Sequence, residues 1–164
     1  GKAFGMEVIG WSRSLTEERS REIGIGHAPT LDDLLERSHV VSLQLALTSE
    51  TRGIIGRREI GLMRPGAILV NTARGPLVDE RALIEALREG RLSGAALDVF
   101  DQEPLPADHP FRTLPNVVAT PHTGYVTEET YRVFFGDAAH DIEAWLAGRP
   151  ERALNAPAVG RQAS

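Results

Sequence analysis

Arg74, Glu103 and His122 lie far apart along the chain, yet their side chains suit steps of a single reaction. Arg74 occupies Asn71-Thr72-Ala73-Arg74-Gly75, among small residues that would let a ligand approach. A planar guanidinium grips a carboxylate through two parallel hydrogen bonds. His122 occupies Thr120-Pro121-His122-Thr123-Gly124, and imidazole is the natural group for moving a proton near neutral pH. Glu103, in Asp98-Val99-Phe100-Asp101-Gln102-Glu103-Pro104, would orient that imidazole and favour its charged form, with Asp101 the rival acid. The competing readings are a surface arginine capping a carbonyl or pairing with Asp79, a solvated loop carboxylate, and a structural histidine. His27, His39, His109 and His140 are read as structural or surface. Taken together, the three residue types suit proton-coupled hydride transfer on a 2-keto or 2-hydroxy acid. Arg74 would hold the carboxylate and carbonyl, and His122 would act as acid in reduction and base in oxidation. The hydride must come from a redox cofactor, because protein side chains cannot supply one.

Each of these residues follows a short apolar run. Residues 67–70 read as a buried strand that stops in the Arg74 turn, and such a run fits a parallel strand covered on both faces. Residues 79–90 form an amphipathic helix with Leu83, Ile84 and Leu87 on one face and Gly90 at its end. Residues 95–100 and 116–120 are the strands before Glu103 and His122. Strands alternating with helices imply βαβ units and a doubly wound parallel sheet, Rossmann-like in class. Right-handed crossovers bring successive strand ends to one rim, where ligands bind in such sheets. An arginine, a carboxylate and a histidine are therefore expected on one rim.

Elsewhere, Gly1-Lys2-Ala3-Phe4-Gly5 looks like a final helical turn closed by glycine. Residues 6–11 alternate into a strand, and Thr16 caps a helix reaching about Ile23. Residues 25–28 suit an edge strand, and Thr30 caps a helix over 31–37. The next strand covers 40–45, and short helical pieces are expected over 50–55 and 57–63. A Pro-rich surface loop spans 103–115, and a long helix over 127–146 offers Tyr131, Phe134, Phe135, Ile142 and Trp145 for an apolar face. Residues 151–164 read as a loosely held tail.

The 164 residues suffice for one domain with a substantial core. With 41% hydrophobic and 25% charged residues, the composition is ordinary for a globular protein. A net charge of −5 without a basic stripe argues against nucleic acid and anionic membranes. The absence of cysteine removes disulfides, thiolate catalysis and cysteine-ligated metal, and no metal site is expected. Nothing resembles a signal peptide or a membrane-spanning run, so a cytoplasmic location is expected.

In dinucleotide folds the second strand normally ends in an acid for the ribose 2′-hydroxyl. Here it ends in Trp11-Ser12-Arg13-Ser14. With no carboxylate to repel a phosphate and a cation adjacent, the reading leans slightly from NAD to NADP. Alternatively, Arg13 stacks on adenine or faces solvent, and both cofactors are used.

Val70-Asn71-Thr72-Ala73-Arg74-Gly75, Ala96-Leu97-Asp98-Val99-Phe100 with Glu103-Pro104, and Thr120-Pro121-His122 occur in the order found in one family. From Gly5 to about Asn155 the chain resembles the nucleotide-binding domain of the D-isomer-specific 2-hydroxyacid dehydrogenases. The resemblance implies that Arg74 binds substrate, that Glu103 pairs with the catalytic histidine, and that His122 is the acid/base. It also implies cofactor contacts at Ser12, Arg13, Leu45, Ala46, Thr51, Thr72, Ala73, Arg74, Asp98, His122 and Gly124. Gln44 and Ala46 stand where the family usually shows His and Pro, and residues 136–140 are less typical of its last helix.

Residues 1–150 thus read as a partial NAD(P)-binding domain. The first strand and Gly-rich turn of the family would lie ahead of Gly1, and no G-x-G-x-x-G occurs in the chain. That strand would sit between those at 6–11 and 40–45. Buried backbone groups left without it would cost about 1–3 kcal/mol each, against a total stability of roughly 5–15 kcal/mol. The expectation is a fragment, inactive and aggregation-prone alone, from an enzyme acting on glyoxylate- or hydroxypyruvate-like acids as a homodimer. Two alternatives stand beside it: a dinucleotide-sensing co-repressor without significant turnover, and a degenerate gene product.

Overall fold

Helix starts are set by oxygen-bearing side chains. The computed structural model describes residues 1–154. Thr16 caps α1 (Glu17–Glu22) and Thr30 caps α2 (Leu31–Arg37), each accepting a backbone N–H from the first turn. α3 (Arg57–Leu62) begins at Gly56, whose N–H donates to the Glu59 carboxylate. Asp79 caps α4 (Glu80–Arg88) and Thr127 caps α5 (Glu128–Leu146) in the threonine manner. Such caps satisfy donors that have no partner inside the helix.

Among the described residues there are six strands, β1 (Ile9–Gly10), β2 (Gly26–His27), β3 (Val40–Leu43), β4 (Ile68–Asn71), β5 (Gly94–Leu97) and β6 (Val117–Ala119), separated by α1 to α4 except for β5 and β6. Every pairing is parallel, in a β1–β2 pair and a sheet ordered β3-β4-β5-β6. This is the expected Rossmann-like α/β arrangement. Among the described residues no strand joins β1 to β3. Register matters most for function. Leu43, Asn71, Leu97 and Ala119 form one row across the four strands, so the segments that follow leave from a common rim.

The core lies on one face of this sheet. Val41, Leu43, Leu69, Ala95 and Leu97 pack with Leu35 of α2, Ile60 of α3, and Leu83 and Leu87 of α4. On the other face Val40, Ile68 and Val118 are exposed, the last at 67%, so the expectation of strands covered on both faces is corrected. Alternate strand residues point to opposite faces, and α2, α3 and α4 all contribute to the same core. An unbroken apolar run does not reveal that choice.

Three other expectations change. Residues 50–55 form turns and not a helix, because the Thr48 and Thr51 hydroxyls bond locally to backbone. The Pro-rich loop is not all surface: a 3-10 turn, Pro110–Arg112, buries Phe111 against Phe100 and His109. The strand expected over 6–11 shortens to the two residues of β1.

The described residues divide into two compact units, Gly1–His122 and a second that begins at Thr123. The second contains α5, on which Tyr131 stacks on Phe135 with ring centroids 5.5 Å apart. The apolar face expected there is exposed at Phe134, Phe135, Ile142 and Trp145, and Ala144 is buried. Of the tail expected over 151–164, residues from 155 on lie outside the described residues.

Candidate active site

Asn71 ends β4 with its side chain buried. Its Oδ1 accepts the Ala73 N–H at 3.1 Å and its Nδ2 donates to the Arg74 carbonyl at 2.9 Å. The same residue's carbonyl accepts the Asp98 N–H at 3.0 Å. Asn71 thus shapes the turn carrying Arg74 through its side-chain amide and ties it to the end of β5 through its backbone carbonyl. The Arg74 side chain is exposed, and its Nη1 donates to the Ala73 carbonyl at 2.6 Å. Carbonyl capping, the plainer of the readings for this arginine, is therefore present, and no ion pair with Asp79 occurs among the described residues.

Gly75 follows. A Cβ built there would meet the Phe100 carbonyl carbon and oxygen at 2.1 Å and the Asp101 nitrogen at 2.6 Å. The glycine is needed because the backbone after β5 packs directly on it. The expected role of Gly75, leaving space for a ligand, is corrected: the space is filled by Phe100. That contact presses the Arg74 turn against the segment leading to Glu103.

Glu103 reaches in two directions. Its Oε1 accepts the Phe100 N–H at 2.9 Å, and its Oε2 lies 2.7 Å from His122 Nδ1. Burial alone would push the Glu103 carboxyl up. The His122 and Phe100 hydrogen bonds, with the charges of His122 and Arg74, outweigh it and hold the carboxyl below the usual carboxylate range. Asp101 moves the other way, raised first by burial and then by the charges of Glu80 and Asp79, against Arg52 and His109. Of the two acids, Glu103 is thus the one that meets the imidazole. His122 itself has φ of 55°, a left-handed conformation that non-glycine residues seldom adopt and that often marks functional positions. Nothing in Thr120-Pro121-His122 announced that backbone.

The residues expected around a cofactor fall into two groups. Trp11, Ser12 and Arg13, after β1, line a cavity of ≈ 180 Å³ with Leu45, Ala46, Glu50 and Thr51, after β3. That is smaller than the roughly 300–1,000 Å³ of a typical ligand pocket, so it fits one moiety of a dinucleotide. Ser12 Oγ accepts the N–H groups of Ser14 and Leu15, and Thr51 Oγ1 donates to the Ala46 carbonyl at 2.7 Å. These hydroxyls shape the walls.

Glu50 was not singled out from sequence. The Thr48 hydroxyl, its own backbone N–H and the Ser49 hydroxyl hold its carboxyl at about 2 against desolvation, and the Arg13 charge adds the least. The premise that no carboxylate stands near Arg13 is therefore corrected, because the acid arrives from another loop. The second group lies along the rim. Asp98 is buried, and its Oδ1 accepts the Thr120 hydroxyl at 2.5 Å. Thr72 is exposed and Ala73 half-buried on the Arg74 turn. Gly124 belongs to the second unit.

A larger cavity of ≈ 670 Å³ is lined by Arg52, Asp79, Glu80, Arg81, Asp101 and His109, among others. It includes none of Arg74, Glu103 and His122, so size alone does not mark the chemistry. Among the described residues no group of three or more His, Asp or Glu could hold a metal ion, and no helix is long and apolar enough to cross a membrane.

Residues 1–124 match the family model described as D-isomer specific 2-hydroxyacid dehydrogenase, NAD binding domain. The chain is 46% identical over 160 residues to a glyoxylate reductase of Aeropyrum pernix, covering 97% of this chain and 48% of that protein. It is 43% identical over 162 residues to a D-3-phosphoglycerate dehydrogenase of Methanocaldococcus jannaschii, covering 98% and 31%. The chain therefore spans about a third to a half of the length of these relatives. A D-isomer specific 2-hydroxyacid dehydrogenase structure from Xanthobacter autotrophicus Py2 matches with a TM-score of 0.79 at 36% identity, over 90% of this chain and 48% of that one. The structure of that enzyme in complex with NADPH and MES matches with a TM-score of 0.68 at 36% identity, over 90% and 60%.

Proposed function

This chain belongs to the NAD-binding domain family of the D-isomer-specific 2-hydroxyacid dehydrogenases, and we propose that it carries the acid/base half of a hydride transfer on a small 2-keto or 2-hydroxy acid. The observation behind this reading is the 2.7 Å contact between Glu103 and His122 Nδ1, on the rim that also bears Arg74.

Arg74 holds the substrate's carboxylate and carbonyl oxygen through its guanidinium fork, which neutralises charge at the reacting end. The nicotinamide, when bound, supplies or takes the hydride. Glu103 accepts from His122 Nδ1, which fixes the ring and its tautomer and assigns the proton exchange to Nε2. During reduction His122 gives that proton to the carbonyl oxygen as the alkoxide charge develops. During oxidation it takes the proton back. Ser12, Arg13, Leu45, Ala46 and Thr51 hold one end of the cofactor. Thr72, Ala73 and Asp98 line the nicotinamide end. Arg13 draws a 2′-phosphate and Glu50 opposes it, so the lean toward NADP rests on Arg13 alone. Glyoxylate and hydroxypyruvate are the proposed substrates, the first by likeness to the Aeropyrum pernix glyoxylate reductase. A cytoplasmic homodimer, with residues 1–150 as the nucleotide-binding part, completes the proposal.

The test uses the protein purified at the full length its gene encodes, assayed with glyoxylate, hydroxypyruvate and pyruvate against NADH and NADPH. Turnover that disappears in His122→Ala, with cofactor binding kept, supports the reading. Tight cofactor binding without turnover of any acid would replace it with the sensing role.

A further inference from the structure

Glu80 opens the first turn of α4, directly after the Asp79 cap. An acid there complements the helix dipole, and nothing more is required of it. Yet its carboxylate reaches across to another element. Oε1 accepts the backbone N–H of Asp101 at 2.8 Å, and Oε2 lies 3.3 Å from His109 Nε2. Both side chains of the Glu80–His109 pair are 17% exposed, so water competes weakly for either. His109 is itself held, with Nδ1 accepting the Phe111 N–H and its ring against the buried Phe111 ring.

One carboxylate thus pins both ends of residues 101–109, and Glu103 stands within that span. The neighbouring N–H, that of Phe100, goes to Glu103 itself. Two consecutive backbone donors are therefore taken by two acids on either side, while Gly75 packs against the intervening peptide. The Asp101 side chain offers Glu80 no attraction. Burial first, then the charges of Glu80 and Asp79, raise its carboxyl, and Arg52 and His109 oppose them. The attraction is to the backbone, and its consequence is the position of the loop.

We infer that Glu80 is a positioning residue for the acid/base pair, holding the Asp101 N–H so that Glu103 stays against His122. This rests on the dehydrogenase reading of His122. It adds a long-range restraint from α4 that the Arg74, Glu103 and His122 roles do not contain.

Two substitutions separate reach from charge. Glu80→Asp keeps the negative charge at the start of α4 but withdraws the oxygen from Asp101. Glu80→Gln loses the charge and the second acceptor facing His109 but keeps one oxygen at the same reach for the Asp101 N–H. In the full-length protein, Glu80→Asp is expected to lower kcat about tenfold, as displaced catalytic groups do, with KM for the acid and cofactor affinity within about twofold. Glu80→Gln is expected to retain kcat within about threefold of the parent.

Isotope-edited NMR of the Glu103 carboxyl supplies a readout independent of turnover. Its titration should move upward in Glu80→Asp and stay in place in Glu80→Gln. The opposite pattern, with Glu80→Gln impaired and Glu80→Asp unaffected, would overturn positioning in favour of a helix-end charge. Loss of thermal stability alone, with kcat and the Glu103 titration unchanged, would overturn it as well. Should the parent protein turn over no 2-keto acid, the functional reading fails, and the Glu103 titration still decides for or against the clamp.

Discussion

The ends of β4, β5 and β6 and the end of β1 are built in different ways. At the first, parts distant in sequence restrain one another. Asn71 shapes the Arg74 turn and receives the Asp98 N–H, Gly75 packs on Phe100, and Glu103 meets His122. At the second, β1 has two residues and pairs with β2, and its turn is shaped by the Ser12 hydroxyl two and three residues away. The cavity beside it joins that turn to the Thr48–Thr51 turns, where Arg13 acts on Glu50 through charge. On the proposed reading, acid/base geometry would depend on backbone packing that one added methyl group would disrupt, and cofactor selectivity on exposed charges that can be exchanged while the fold stays intact. Substitutions at the rim should cost structure and rate together, and those beside β1 should change preference.

The largest expected effect is on rate. His122→Ala should lower kcat by about 10²–10⁴-fold, the usual contribution of a positioned acid/base, while cofactor affinity measured by fluorescence titration stays near that of the parent. Gly75→Ala comes next. Its Cβ would overlap the Phe100 carbonyl, and the forced separation should cost at least about 1–3 kcal/mol in denaturant unfolding, with kcat falling in the same variant. At the other region, Arg13→Asp should leave the unfolding midpoint nearly unchanged and weaken NADPH about tenfold more than NADH, as expected from replacing attraction by repulsion at a phosphate. Equal losses for the two cofactors would remove Arg13 from the 2′-phosphate site.

The smallest effect is on pH dependence. The Glu103 pKa is lowered in the folded chain. Its pairing therefore contributes stability that is full above the ordinary carboxylate range and is lost as pH falls through the lowered value. Thermal scans should show the parent losing more stability than Glu103→Gln across that acidic window, and parallel curves would contradict it.

Much of this was legible in the letters. Thr16, Thr30, Asp79 and Thr127 announce four helix starts because capping chemistry is local. The three apolar runs with polar endings announce parallel strands that finish at one rim. What stayed hidden is long-range or too short to carry a period. Glu80 meets Asp101 across 21 positions and Asn116 caps the Leu87 carbonyl across 29, and no local pattern encodes such partners. Residues 50–55 carry helix-tolerant letters, yet side-chain bonds from Thr48 and Thr51 hold them in turns. Phe111 looked like a surface residue among prolines and is buried at 2% exposure. The left-handed backbone of His122 has no sequence signal, because even histidine, enriched there among non-glycine residues, takes it only in a minority of cases.

A crystal structure of the full-length protein with oxidised cofactor and oxamate, an isostere of a 2-keto acid, bears on all of this at once. The expected result is the oxamate carboxylate on the Arg74 guanidinium, with its carbonyl oxygen within about 3.2 Å of His122 Nε2 and Glu103 still on Nδ1. Oxamate held instead by Arg52, Arg81 or Arg88 in the larger cavity, with His122 turned away from Glu103, would contradict it.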